Sequence, residues 1–221
     1  MENGFQILDS PGLRLFINGG PVMFVLLGLS ILMVAIILVK VWEFSRSELR
    51  ETRFVDEVLS AVAAGESLKA TVLLGQSRHP LARVLERVLI VLAEGRSREE
   101  TEAAVRRAGT AQIQRLESGL RGLELIATVA PLLGLLGTVL GMIEAFAEVE
   151  RFGSTVDPAI LAGGIWQALL TTAYGLILAI PALSVAYLLQ ARADEVREMM
   201  SQSVTELLLT EHSGNKNEVV S

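Results

Sequence analysis

Three long stretches of the chain contain no charged residue, and they dominate the pattern of hydrophobic and polar positions. They cover 15–39, 125–143 and 158–191. A helix needs roughly 20 apolar residues to cross the hydrocarbon core of a membrane. Each stretch therefore predicts a membrane-spanning helix. The first is too long for the apolar core of a signal peptide and follows an acidic segment, so we expect it to be retained as a helix.

Amphipathic helices are predicted between the first and second stretches. Apolar residues recur at intervals of three and four from Leu81 to Leu92, directly after His79 and Pro80, which is the spacing of one helix face. The pair Ser97 and Glu100 has the pattern of a capping box. From about Arg98 we predict one continuous helix that runs through the second span. No β pattern is visible, so the predicted fold is all-α.

The distribution of Lys and Arg predicts the orientation in the membrane. These residues lie in 40–121 or after 191, except Arg14 and Arg151. Because cytoplasmic loops carry the excess of Lys and Arg, the central region and the C-terminus are expected inside the cell. The predicted order is an outward-facing segment 1–14, a span 15–41, a cytoplasmic helical region 42–122, a span 123–147, a periplasmic turn 148–157, a span 158–191, and a cytoplasmic helix and tail 192–221.

Small residues form stripes on the second and third predicted spans. Close spacing of small residues lets helix backbones approach each other in a bilayer. These stripes therefore predict either a tight helix pair or the wall of a narrow pore after oligomerisation, and the sequence leaves both open. The second span contributes Gly134, Thr138, Gly141 and Ala145; the third contributes Gly164, Ala168, Thr172 and Gly175.

Other polar side chains in the spans are expected to serve packing. We expect Thr128, Thr171 and Ser184 to donate to main-chain oxygens one turn back. Gln167 is different, because its amide needs partners at membrane depth. It either bonds a neighbouring helix or faces water.

Composition limits the chemistry that the chain can perform. The net charge is −6, there is no cysteine, and the two histidines lie far apart in the sequence. These features give no indication of nucleic-acid binding, thiolate chemistry, a metal site or a cofactor. A soluble-type enzyme active site is poorly supported.

Acidic residues are absent from all three uncharged stretches. Carboxylates inside a membrane commonly mark ion pathways. If the chain conducts protons, the titrating group at mid-depth must therefore come from another subunit. Glu144 and Glu148 cluster at the outer end of the second span, either as a solvated helix end or as a mouth that collects cations.

Two segments carry a family resemblance: RLESGLRGLELIATVAPLLGLLGTVLGMIEAF at 115–146 and LAGGIWQALLTTAYGLILAIPAL at 161–183. They resemble the MotA/TolQ/ExbB proton-channel family, closest to its ExbB and TolQ branch. The resemblance implies a multi-pass protein of the bacterial inner membrane that forms a homopentamer around a central pore. It also implies an ExbD/TolR-like single-span partner with a membrane aspartate, which uses the proton motive force to energise a TonB- or TolA-like protein acting on the outer membrane.

The resemblance also assigns roles to individual residues. It implies that Thr138 and Thr172 are the pore threonines that bond the partner's aspartate or hold water near it. The best-studied members of the family have a glutamate where this chain has Gln167. Since an amide cannot titrate, we expect Gln167 to have a structural role. The alternative function is a passive membrane scaffold that anchors a partner without ion conduction.

Overall fold

A computed structural model describes residues 20–46, 53–153 and 158–218. All regular secondary structure in these ranges is helical, which confirms the all-α fold. The segment 1–14, the start of the first predicted span and part of the predicted turn 148–157 lie outside the described residues. The helices are α1 (Gly20–Arg46), α2 (Arg53–Ala63), α3 (Ser67–Gln76), α4 (Pro80–Ala93), α5 (Arg98–Glu117), α6 (Leu120–Phe152) and α7 (Pro158–Glu218).

Three helical stretches in the described part of the chain are long and apolar enough to cross a membrane: Gly20–Arg46, Glu99–Arg151 and Leu161–Leu209. They confirm the three predicted spans. Helices α6 and α7 each continue through an internal proline, which membrane helices tolerate more readily than soluble ones. As predicted, α7 extends well beyond its apolar stretch.

The predicted continuous helix from Arg98 through the second span is wrong. Helix α5 ends at Glu117, and α6 begins at Leu120. Gly119 between them has a φ of +83°, a left-handed conformation that glycine adopts without steric cost. Its main-chain oxygen accepts hydrogen bonds from the first turn of α6, at 3.0 Å from the nitrogen of Gly122. A glycine directly after a helix is a common termination signal, and it was present in the sequence.

The chain divides into two units. One comprises Met1–Leu38 and Gly119–Tyr187, and the other comprises Val39–Ser118 and Leu188–Ser221. The first, called the membrane unit here, holds most of α1 and α6 and the apolar part of α7. The second, called the polar unit here, holds α2 to α5 with the end of α1 and the C-terminal part of α7.

The core of the polar unit is built around α4. Leu81, Leu85 and Val88 are completely buried, and they belong to one cluster with apolar side chains from α2, α3, α5 and α7. This confirms the predicted apolar stripe. The first turn of α4 is capped by His79, whose Nδ1 accepts a hydrogen bond of 3.0 Å from the nitrogen of Leu81.

The predicted capping box at the start of α5 is also confirmed. The main-chain nitrogen of Glu100 donates to the hydroxyl of Ser97 at 3.3 Å. In return, the Ser97 nitrogen donates to the carboxylate of Glu100 at 3.2 Å. These bonds satisfy helix-terminal donors that have no partner within the helix.

Candidate functional site

Helices α6 and α7 contact each other through small residues in the membrane unit. A Cβ added to Gly134 would lie 2.9 Å from the main-chain oxygen of Thr171, and one added to Gly175 would lie 2.5 Å from the oxygen of Ala130. Real Cβ atoms do not come this close to backbone atoms. Glycine is therefore required at both positions, because any side chain would force the backbones apart.

The same contact continues toward the end of α6. A Cβ on Gly141 would lie 3.1 Å from the Cβ of Ala168, and one on Gly164 would lie 2.8 Å from the Cβ of Ala145. The two predicted stripes therefore meet in the structure along several helical turns. Such close approach is what small residues provide in membrane helix pairs.

Two threonine hydroxyls of α7 converge on one oxygen of α6. Thr172 donates its hydroxyl hydrogen to the main-chain oxygen of Gly134, with an Oγ1–O distance of 3.0 Å. The hydroxyl of Thr171 is 3.3 Å from the same oxygen and 2.7 Å from the oxygen of Ala168 in its own helix. Thr171 is 1% exposed. The helix pair is thus joined by hydrogen bonds as well as by close packing.

Thr171 forms a contact between helices that was not predicted from the sequence. Its bond to Ala168 is the predicted local one, but its contact with Gly134 crosses to the other helix. The local sequence around Thr171 gave no signal for this contact, which depends on Gly137 of the other helix: a Cβ added there would collide with the Thr171 hydroxyl. Thr128 and Ser184 behave as predicted, donating to main-chain oxygens one turn back at 2.9 and 2.8 Å.

Thr138 lies beside the helix contact. Gly137 is the residue of this turn that meets Thr171, while Thr138 lines a shallow open groove of about 540 Å³ on α6. Its hydroxyl donates to the main-chain oxygen of Leu135 at 2.6 Å. The other lining residues are Val139, Met142, Ile143, Phe146, Ala147 and Glu150.

Gln167 is half-buried, near the start of α1. Its Nε2 atom lies 3.7 Å from the position of a Cβ built on Gly20. Near the C-terminal end of α6, Glu144 is exposed and Glu148 lies 4.0 Å from the guanidinium of Arg151. This pairing suits a solvated helix end.

The hydroxyls of Thr138 and Thr172 share one chemical property. Each donates its single hydrogen to a main-chain oxygen, so the lone pairs that remain can only accept hydrogen bonds. Among the described residues, no group of three or more His, Cys, Asp or Glu side chains is placed to hold a metal ion.

Comparisons with known proteins give consistent matches. The profile of the MotA/TolQ/ExbB proton channel family matches residues 76–202. A putative biopolymer transport protein, ExbB-like 3, from Synechocystis is 34% identical over 75% of this chain and 78% of its own length. The biopolymer transport protein exbB1 of Vibrio cholerae is 44% identical, over 42% of this chain and 41% of its own. A putative ExbB homolog from Methanothermobacter thermautotrophicus is 29% identical over 83% and 64%.

Proposed function

The chain belongs to the MotA/TolQ/ExbB proton channel family, and on this premise we propose that it forms the wall of a channel whose titrating carboxyl is supplied by a partner. The family and the three apolar helices make it a multi-pass inner-membrane protein with a role in energising transport. No Asp or Glu occurs in any of the three uncharged stretches. A chain with this composition supplies helix packing and hydroxyl groups, but no carboxyl group that could carry a proton in the middle of the membrane.

The observation that carries the proposal is the direction of the hydroxyl hydrogen bonds. Thr138 and Thr172 donate to main-chain oxygens and offer only lone pairs to their surroundings. A protonated carboxylic acid can donate to such an oxygen, whereas a carboxylate cannot. The two threonines therefore suit the neutral, proton-carrying form of a partner's aspartate.

The proposed assembly is a homopentamer around a dimer of an ExbD/TolR-like single-span protein. The proton motive force acting on this complex would energise a TonB- or TolA-like protein. This part rests on the resemblance of 115–146 and 161–183 to the ExbB and TolQ branch. The Lys and Arg distribution supports an outward N-terminus and a cytoplasmic C-terminus, and membrane lipids cover the remaining apolar faces.

Proton flux into liposomes tests the proposal. The purified chain alone is expected to give little flux, and co-reconstitution with an ExbD/TolR-like partner is expected to give flux down an imposed gradient. The matched control is the same partner with its membrane aspartate changed to asparagine, which should return the flux to the level of the chain alone. Full flux from the chain without a partner would contradict the proposal.

A passive scaffold is the second candidate, and one observation favours it. The hydroxyl bonds to Gly134 and Leu135 are of the kind that joins or locally stabilises membrane helices, worth about 1 kcal/mol each. A scaffold needs nothing more. Dissipating the membrane potential with an uncoupler separates the two functions, since the output of a scaffold survives this treatment and that of a proton-driven subunit stops.

A further inference from the structure

The ammonium group of Lys40 is enclosed by oxygen atoms at the end of α5. Its Nζ lies 2.6 Å from the carboxylate of Glu43, 3.1 and 3.2 Å from the main-chain oxygens of Arg115 and Leu116, and 3.2 Å from the hydroxyl of Ser118. Lys40 is 4% exposed. Lysine is rarely buried to this extent without partners. Here all of the partners belong to the polar unit.

These oxygens are available because α5 stops at Glu117. The last carbonyl groups of a helix have no helical donor, and a cation is favoured beside them. In a helix that continued through Gly119, the oxygen of Arg115 would accept from the nitrogen of Gly119, and that of Leu116 from the nitrogen of Leu120. The break and the bonds to Lys40 therefore support each other.

The backbone at the break can adopt either form. Gly119 has a φ of +83°, and glycine adopts helical values about as readily. The sequence Glu117–Ser118–Gly119–Leu120 contains no proline to prevent a continuous helix. The last turn of α5 is also bound to α7 by an ion pair between Glu117 of α5 and Arg197 of α7.

We propose that Lys40 is a latch that holds the α5–α6 junction broken at Gly119, and that a continuous helix is the second state of this junction. The ammonium group binds the carbonyls of Arg115 and Leu116, which the continuous state would engage in helical hydrogen bonds; in the broken state Ser118 also donates to the Arg115 oxygen. Since Lys40 lies on α1, the position of the cytoplasmic end of α1 controls which state forms. Lys40 is thus a positioning residue. This proposal does not depend on proton conduction.

A distance measurement across the break tests the latch. The chain contains no cysteine, so cysteines introduced at the exposed positions Thr110 and Glu124 can carry the only spin labels. In a continuous helix these positions are about 21 Å apart, at 1.5 Å per residue. Double electron–electron resonance is measured on the full chain in lipid, with labelled subunits diluted by unlabelled ones. Lys40→Met, which keeps the apolar stem, is expected to add a population at the continuous-helix distance.

A second variant and two controls keep the test decisive. Gly119→Ala leaves Lys40 intact but disfavours the positive φ, so it is expected to produce the same population. Lys69→Met removes an exposed lysine that also pairs three residues away, with Glu66 at 2.9 Å, and should keep the wild-type distance. Labels at Leu125 and Glu144, both on α6, report whether that helix stays intact.

The label distances measured in the two variants distinguish support for the latch from its rejection. A continuous-helix population in Lys40→Met with an unchanged α6 distance supports the latch. Wild-type distances in both Lys40→Met and Gly119→Ala overturn it. If Lys40→Met does not accumulate in the membrane, Gly119→Ala alone decides, and an unchanged distance in that variant is sufficient to reject the second state. Proton flux is not part of the readout, so failure of the proposed channel function is recognised separately.

Discussion

Thr172 donates its hydroxyl hydrogen to the main-chain oxygen of Gly134, 3.0 Å away, and so joins α7 to α6 at the depth of the membrane. The bond requires the two backbones to be close. Gly134 permits this approach, because a Cβ on it would lie 2.9 Å from the Cα of Thr172. Packing and polar chemistry therefore depend on the same pair of residues.

Gly175→Ala is expected to weaken the helix pair. The added Cβ would lie 2.5 Å from the main-chain oxygen of Ala130, and a backbone atom cannot turn away as a flexible side chain can. Overpacking of this kind costs about 1–3 kcal/mol. The thermal unfolding midpoint of the purified protein, or its resistance to denaturing detergent, should fall.

Gly28→Ala is the matched control for this substitution. Gly28 is also a helical glycine in an apolar segment, but apart from its chain neighbours and the backbone of its own helix no atom lies within 4 Å of its Cβ position. Alanine there should be neutral, or stabilising by up to about 1 kcal/mol because of its higher helix propensity. Equal losses in both variants would show that the cost does not come from the α6–α7 contact.

Thr172→Val and Thr171→Val are expected to have different effects. Under the proposed function, valine at Thr172 removes the oxygen that would accept from the partner's acid, so partner-dependent proton flux should fall roughly tenfold, equivalent to about 1.4 kcal/mol. Thr171 is almost completely buried, so valine there should lower stability by about 0.6 kcal/mol and at most about 1.7, with flux retained. Flux in liposomes and thermal unfolding separate the two effects.

The corresponding serine variants serve as controls, because serine keeps the hydroxyl and loses only a methyl group.

Thr138→Val should reduce flux in the same way as Thr172→Val, since both hydroxyls donate to the backbone. Full partner-dependent activity in Thr138→Val and Thr172→Val, with assembly intact, would mean that these hydroxyls serve packing alone.

Residue spacing predicted the elements that depend on local periodicity. The α4 stripe after His79 and the Ser97 capping box follow from neighbours three or four positions apart, and the three spans follow from the length of the uncharged stretches. The stripes that contain Gly134 and Gly175 were also visible in the sequence, which left open whether they form a tight helix pair or the wall of a pore.

Features that depend on distant contacts could not be predicted in this way. The end of α5 is bound by Lys40, which lies in the first predicted span. Nothing in the sequence near Gly119 indicates that Lys40 binds there. Thr171 has the same local signature as Thr128, and only its position opposite Gly137 distinguishes it. Whether Thr138 faces a helix or a groove likewise depends on the crossing geometry of α6 and α7.

Ser97→Ala is expected to loosen the start of α5. The substitution removes the acceptor for the nitrogen of Glu100, and loss of such a cap costs about 1 kcal/mol. Amide hydrogens in the first turn of α5 should then exchange about fivefold faster, measured by mass spectrometry on the full chain. Ser97→Asp keeps an acceptor and should restore most of the protection. Unchanged exchange in Ser97→Ala would show that the capping bond adds no stability.

Gln167→Leu is expected to leave proton flux intact while reducing stability. An amide does not titrate, so a proton path in this chain cannot pass through protonation of Gln167. Partner-dependent flux should therefore stay within about twofold of wild type, a difference of about 0.4 kcal/mol. The free energy of unfolding should fall by no more than about 1.7 kcal/mol if the amide bonds another helix. A tenfold loss of flux with unchanged stability would instead show that Gln167 orders water on the proton path, and Gln167→Glu would then be expected to retain the flux that leucine abolishes.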